Sequence, residues 1–296
     1  METALVLTRL LQFAAGMILG GTPLFFLYGP PPPHSPWPRR LVGGAAALGV
    51  LAVLGWLMAQ AGQFGDGPAD AFAPLKVWSV ATETGVGRAG LVRIGLFVAA
   101  FFAARLGGTD RFTWLTPAAL GGVVAGSLAW LGHGRSGDGA LGSIHLIVDI
   151  AHLVAAAVWL GALVPLAVLV VRFAGSPLEA ERKDVHAGLE SFSGVGPAVV
   201  AVLVATGLVN GWILVGPQHV GDLASSPYGV GLIAKLVLFV AMLGLAAANR
   251  FVLTPALAGG ENAAGGLRFS ILAETVLAIG VLACVAFLGV QSPPVS

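Results

Sequence analysis

Residues 145–167 read HLIVDIAHLVAAAVWLGALVPLA, an apolar run of the length that a membrane-spanning helix needs. The first third of this run nevertheless carries His145, Asp149 and His152. A helix turns about 100° per residue, so side chains spaced four and three residues apart lie on one face. The three residues are therefore expected to form one polar stripe, which Trp159 continues deeper into the helix.

The rest of the chain has the same apolar character. Of its 296 residues, 57% are apolar and only 10% are charged, which is typical of an integral membrane protein. We therefore expect an all-α polytopic bundle of about eight transmembrane helices, forming a single integral membrane domain over residues 1–296. The expected spans are 4–28, 41–62, 88–106, 114–133, 143–171, 192–215, 229–249 and 269–290.

Lysine and arginine residues are distributed unevenly among the loops, and this predicts the orientation of the chain. The loops after the first, third, fifth and seventh spans hold nine of them, whereas the alternate loops hold three. By the positive-inside rule the richer loops lie in the cytoplasm, so both termini lie on the outer, periplasmic or extracellular side. The nine are Arg39, Arg40, Arg105, Arg111, Arg172, Arg182, Lys183, Arg250 and Arg268, and the three are Lys76, Arg88 and Arg135.

Ionisable side chains inside a membrane are costly, so those within the expected spans are candidate functional residues. Asp149 has two interpretations: it orients a neighbouring imidazole, or it pairs with Arg93 or Lys235 to neutralise buried charge. Glu274 similarly pairs with Arg250. The full set of intramembrane polar candidates is Arg9, Arg93, Asp149, His152, Lys235, Asn249, Arg250 and Glu274.

The histidines of the polar stripe are candidate metal ligands. At a rise of about 1.5 Å per residue, His145 and His152 lie roughly 10 Å apart along the helix axis, too far to bind one ion by themselves. Another helix must contribute, and His133 at the end of the fourth span is the candidate. Imidazole suits copper, whereas sulfur favours cuprous copper; the sulfur side chains available for a deeper relay are Met17, Met242 and Cys284.

Several kinds of chemistry have no motif in the sequence. There is no GxxxxGK[ST] phosphate loop and no aspartyl-phosphate signature, so we expect no use of ATP. Neither HExxH nor GxSxG occurs, and we expect no enzymatic activity. The single cysteine excludes a cysteine-cluster metal site, and the lack of a basic patch interleaved with aromatic residues argues against nucleic acid as a partner.

The order of these motifs resembles the copper resistance protein D (CopD) family of bacterial inner-membrane proteins. The resemblance implies an eight-helix protein that handles copper together with a periplasmic copper-binding partner of the CopC type. It rests on residues 145–167 and on TRLLQFAAGMILGGTPLFFLYGP at 8–30, GHG at 132–134, FSGVGPAVVAVLVATGLVNGW at 192–212, YGVGLIAKLVLFVAMLGLAAANRFVLTPAL at 228–257 and LRFSILAETVLAIGVLACVAFLG at 267–289.

The resemblance also assigns roles to individual residues. His133, His145 and His152 match the outer-face histidines of the family. Several members carry histidine three residues after the arginine of the first span, where this chain has Gln12, which weakens the case for a metal ligand on the first span. The recurring polar positions of the family correspond to Arg9, Lys235, Asn249, Arg250 and Glu274.

Together these observations lead us to expect a copper-handling protein of the bacterial inner membrane, which imports copper through a histidine site in its outer half. Two alternatives remain open. One is a b-type haem protein in which His133 and His152 form a facing ligand pair. The other is a non-transporting assembly factor for a copper enzyme.

Overall fold

The computed structural model describes residues 1–32, 35–65, 67–108, 110–131, 139–174, 179–256 and 261–294, and all regular structure in these ranges is helical. Eight helical segments are long and apolar enough to cross a membrane, which confirms the predicted fold class. In chain order the helices are α1 (Glu2–Tyr28), α2 (Trp37–Phe64), α3 (Pro74–Glu83), α4 (Gly85–Leu106), α5 (Leu115–Ser127), α6 (Gly139–Ala174), α7 (Glu179–Leu214), α8 (Pro227–Ala248), α9 (Thr254–Ala256) and α10 (Glu261–Leu288).

Most of the spanning helices begin before the predicted spans because backbone hydrogen bonding continues beyond the apolar core, whereas α5 lies inside the predicted span 114–133. α7, for example, begins at Glu179 although the apolar run begins at 192. The sequence interpretation missed α3, a short helix between α2 and α4 whose Leu75 and Trp78 side chains are exposed. Thr84 then starts α4, since its hydroxyl oxygen accepts a hydrogen bond from the Gly87 amide at 2.9 Å.

The helical path of the chain continues beyond the end of α8. A π-helical turn, Asn249–Leu253, follows it and leads directly into the single turn of α9. π-helical turns are rare and occur frequently at functional sites. The turn places Asn249 and Arg250 at the point where the helix widens.

α1 lies at the centre of the bundle, packed against α2, α5, α6 and α10. Two glycines allow the backbones to approach closely. A Cβ atom at Gly21 would lie 1.9 Å from the Ala157 carbonyl oxygen of α6, and one at Gly121 of α5 would lie 2.2 Å from the Leu19 carbonyl oxygen. Small residues at helix contacts are the usual basis of tight association within a membrane.

The helices of the second half of the chain are arranged around this centre more openly. α7 packs against α6, and α8 packs against α10. The outer faces of α7 and α8 carry exposed apolar side chains, among them Leu208, Trp212, Val237 and Val240. In a bilayer such faces contact lipid.

The two ends of the chain meet at one end of the bundle. Gln291 Nε2 donates a hydrogen bond to Glu2 Oε1 at 3.1 Å, as expected for an even number of spans. Which side of the membrane this end faces follows from the distribution of lysine and arginine, and the outer placement of the termini stays a prediction.

Candidate metal-binding cavity

A cavity of about 630 Å³ lies in the half of the bundle where the two chain ends meet, enclosed mainly by α1, α6, α7, α8 and α10. Most of its lining is apolar. Leu208 and Trp212 of α7 and Leu236 of α8 line it and are also exposed, so it opens sideways between these two helices. We call it the histidine cavity, because its polar lining residues are Arg9, His145, Asp149, His152, Asn210, Tyr228 and Lys235.

His152 is held by a hydrogen bond to the neighbouring helix. Its Nδ1 lies 2.8 Å from Thr206 Oγ1 of α7, and that hydroxyl lies 2.6 Å from the Val202 carbonyl oxygen, to which it donates. The hydroxyl proton is thereby used, so the hydrogen-bond network assigns the proton of the imidazole to Nδ1. The lone pair then resides on Nε2, which is the arrangement that a neutral histidine metal ligand requires.

Asp149 forms the second polar contact between α6 and α7. Asn210 Nδ2 donates to Asp149 Oδ1 at 3.2 Å. Asp149 precedes His152 by three residues on α6, and Asn210 follows Thr206 by four residues on α7. The predicted pairing with Arg93 is wrong, and within the described ranges Asp149 and Lys235 line the same cavity without forming an ion pair. The orienting contact that we expected from Asp149 is made to His152 by Thr206 instead.

The remaining predicted metal ligands are distributed unevenly. His145 is 1% exposed and lines the histidine cavity together with Met17 and Met242. Cys284 does not line it, and His133 lies outside the described residues. In the described part of the chain, no group of three or more histidine, cysteine, aspartate or glutamate side chains is arranged to hold one metal ion.

A second cavity, of about 220 Å³, lies further along the same helices. We call it the glutamate cavity. Glu274 of α10 is 2% exposed and accepts two hydrogen bonds, from Trp159 Nε1 at 2.8 Å and from Asn249 Nδ2 at 3.1 Å. The predicted pairing of Glu274 with Arg250 is wrong, since Arg250 donates to the Ser193 carbonyl oxygen at 2.6 Å.

Trp159 separates the two cavities and lines both of them. Its side chain is 1% exposed and meets Phe239 of α8 edge to face, with ring centroids 5.8 Å apart. The polar stripe of α6 therefore ends at the Trp159 side chain. The indole N–H of Trp159 points to the Glu274 carboxylate in the glutamate cavity.

The two arginines predicted inside the membrane lie in different places. Arg9 lines the histidine cavity and donates to the Leu131 carbonyl oxygen. Arg93 is fully buried between α4, α1 and α5, away from both cavities, where it donates to Gln12 Oε1 at 2.8 Å and to both the hydroxyl and the carbonyl oxygen of Ser127. Gln12 of α1 thus serves as an acceptor for a structural arginine.

Comparisons with known proteins agree with this geometry. A family model described as "Copper resistance protein D-like, N-terminal domain" matches residues 1–143, and one described as "Copper resistance protein D" matches residues 186–288. The copper resistance protein D of Pseudomonas syringae pv. tomato is 38% identical over 225 residues, which cover 72% of this chain and 70% of that relative. The chain belongs to the copper resistance protein D family.

Two further relatives support the same assignment. The inner membrane protein YebZ of Escherichia coli (strain K12) is 27% identical over 82% of this chain and 83% of its own length. The copper transport protein CutJ of Bacillus subtilis (strain 168) is 27% identical over 86% of this chain, which spans only 46% of CutJ. No solved structure matches the chain. This CopD-family protein is therefore a multi-pass inner membrane protein of a family related to copper resistance and transport.

Sequence reasoning missed Thr206 and Asn210, the two polar residues of α7 that contact His152 and Asp149. Both lie within the apolar sixth span and are four residues apart, so they share a face of α7. The same spacing argument that identified the stripe on α6 indicates a matching stripe on α7. Neither residue is ionisable or a metal ligand, so the cost of buried charge, which identified the stripe on α6, does not identify them.

Proposed function

We propose that this CopD-family protein moves copper across the inner membrane toward the cytoplasm, with the histidine cavity as the entrance. The observation that carries the proposal is the succession of the histidine and glutamate cavities along the same four helices, α6, α7, α8 and α10, with Trp159 as their shared wall. A protein that only bound copper as a structural cofactor needs one closed site rather than two successive cavities. Transport also agrees better with the names of the relatives than catalysis does.

The histidines act in this proposal as successive weak ligands. His145 and His152 line one cavity but stand about 10 Å apart along α6, so one ion passes between them and is not chelated by both. His152 offers Nε2, because Thr206 holds Nδ1. His133, outside the described residues, is the third proposed ligand at the entrance. Weak, exchangeable coordination favours release as well as entry.

Deeper contacts for copper are assigned to sulfur. The thioethers of Met17 and Met242 line the histidine cavity near its inner end, and thioether sulfur favours cuprous copper. Cys284 is left out of this relay, because it lines neither cavity described above.

A soluble partner completes the proposal. The orientation predicted from the loops puts the half of the bundle that contains the histidine cavity on the periplasmic side. We propose that a periplasmic copper-binding protein of the CopC type delivers the ion there. The direction of transport rests on this orientation, and vesicles of known sidedness test it directly.

Uptake of radioactive copper into proteoliposomes tests the function. His152→Ala is expected to lower the initial rate by about tenfold or more, the usual cost of losing a metal ligand or its support. His186→Ala is the matched control, because His186 is exposed and its Nδ1 lies 3.8 Å from Glu190 Oε2, outside both cavities. Equal uptake by the wild type and His152→Ala would overturn the histidine site, and equal uptake by protein-containing and empty liposomes would overturn transport.

The comparisons favour neither the haem nor the assembly-factor alternative. The same purified protein tests the first of them by its visible spectrum. A haem protein shows a Soret band with α and β bands on reduction, whereas a copper transporter shows none of these. An assembly factor would leave copper flux unchanged in the liposome assay.

A further inference from the structure

The carboxylate of Glu274 is buried in the bundle with neutral partners only. It accepts hydrogen bonds from the indole of Trp159 and the amide of Asn249. In the described part of the chain, no lysine, arginine or histidine lies within ion-pair distance of it. A carboxylate held within a membrane protein without a positive partner is costly, so a residue of this kind is expected to bind a cation.

Asn249 carries an acceptor that this arrangement leaves without a partner. Its Nδ2 is turned to Glu274, which fixes the amide and turns Oδ1 away from the carboxylate. The side chain is 8% exposed and lines the glutamate cavity. Within the described ranges, no donor forms a hydrogen bond with Asn249 Oδ1. The buried hydroxyl of Thr254, which lines the same cavity, has no hydrogen-bond partner in these ranges either.

An uncommon backbone conformation, the π-helical turn, brings Asn249 and Thr254 into the lining of the same cavity. Asn249 is the first residue of the π-helical turn, and Thr254 directly follows its last residue. In a regular α-helix, residues five apart lie on different faces. Because the π-helical turn is wider, both residues line the glutamate cavity, as Glu274 does.

We infer that the glutamate cavity contains a second cation site, separate from the histidine cavity, in which Glu274, Asn249 and Thr254 bind one proton or one small monovalent cation such as Na⁺. Carboxylate, amide and hydroxyl oxygens are hard ligands, unlike the imidazole and thioether groups of the histidine cavity. One carboxylate neutralises one positive charge. The site stands on these oxygens alone and does not require that copper be transported.

Other charged and titratable groups near the site are few in the described structure. Arg250 lines the same cavity from the π-helical turn, but its guanidinium donates to the Ser193 carbonyl oxygen and lies over the Phe251 ring. The others lie beyond Trp159, in the histidine cavity; they are Arg9, His145, Asp149, His152, Tyr228 and Lys235. Among the described residues, Asp149 is the other carboxylate that lines one of the two cavities, so its spectroscopic signal is separated from that of Glu274 with a variant of its own.

Infrared difference spectroscopy on the full chain in lipid films, without copper, tests the site. Films are perfused with buffers of stepped pH containing sodium chloride or choline chloride. We expect a protonated carboxyl band that disappears in Glu274→Gln and persists in Asp149→Asn. If Na⁺ competes for the site, sodium weakens this band relative to choline, and if the site takes only protons, the two salts give the same spectra. Identical difference spectra for the wild type and Glu274→Gln in both salts would overturn the proposal.

A second variant keeps the test decisive if Glu274→Gln does not fold. Asn249→Ala combined with Thr254→Val retains the carboxylate and removes two of its proposed co-ligands. The proton or Na⁺ concentration at half change is expected to shift by about tenfold, the effect of losing a ligand of hydrogen-bond strength. Thr275→Val is the matched control, because the Thr275 hydroxyl bonds only the Ile271 carbonyl oxygen of its own helix. An unchanged midpoint in the double variant would contradict the site while leaving the copper function untouched.

Discussion

Arg93 in the first half of the chain and Lys235 in the second are both cations inside the helix bundle, but their surroundings differ. Arg93 is fully buried and donates to Gln12 and to both oxygens of Ser127. Lys235 faces the histidine cavity and forms no hydrogen bond within the described residues. A cation whose donors are all hydrogen-bonded to neighbouring helices holds those helices together. A cation that faces a cavity remains available to interact with a ligand or an ion in that cavity.

The same contrast extends to the helices around these residues. α1, α2, α4 and α5 meet through close backbone contacts such as that of Gly121. α6, α7, α8 and α10 leave space between them for two cavities. The first half of the bundle is thus packed closely, and the second half carries most of the polar residues that line the two cavities.

Exchanging the two cations for methionine tests this contrast most strongly. Arg93→Met leaves the buried Gln12 and Ser127 oxygens without donors, and we expect a loss of about 2–4 kcal/mol in the free energy of unfolding. Lys235→Met is expected to cost less than about 1 kcal/mol while changing copper uptake. Unfolding in mixed micelles measures the first quantity, and liposome uptake measures the second. If Lys235→Met destabilised the protein as much as Arg93→Met, the contrast would be wrong.

A pair of adjacent glycines gives the next largest effect. Gly121→Ala forces a methyl group against the Leu19 carbonyl oxygen, whereas a Cβ atom at Gly122 meets nothing within 4 Å. We expect Gly121→Ala to cost about 1–3 kcal/mol of stability and Gly122→Ala to cost less than about 0.5 kcal/mol. Thermal unfolding of the two variants side by side provides the measurement. Equal unfolding temperatures would show that α1 and α5 separate more easily than their contact indicates.

The smallest expected effect concerns the orientation of His152. Thr206→Val removes the acceptor of the imidazole Nδ1–H, and we expect copper uptake to fall by about tenfold, with stability changed by about 1 kcal/mol or less. Thr275→Val again serves as the control, since its hydroxyl contacts only its own helix. A Thr206→Val variant that transported copper at the wild-type rate would remove Thr206 from the site.

Features of the fold that depend on one helix alone were predictable from the sequence, and features that depend on several elements were not. The eight spans were predictable because lipid imposes a length and an apolar composition on each one. The stripe of His145, Asp149 and His152 was predictable because helical spacing lies within one element. α3 was missed because a short helix in a connection carries no such constraint.

Contacts between helices were beyond what the sequence could predict. Arg93 and Asp149 are both ionisable and both intramembrane, yet the structure assigns them to Gln12 and Asn210 respectively. Which faces oppose each other depends on how the whole bundle packs, and neither depth nor spacing within a helix determines that. The single-domain organisation and the outer placement of the termini stay predictions, as do the roles of the histidines.

The contact between Glu2 and Gln291 has a practical consequence for architecture. α10 ends at the rim of the histidine cavity, and Gly289 lines this cavity. A soluble module fused near Glu2 or near Gln291 would therefore lie beside the same cavity. Linkers that begin near Glu2 and near Gln291 would have nearly equal reach. Fusion order in an engineered copper-delivery chimera should therefore matter little, and the length of the linker should matter more.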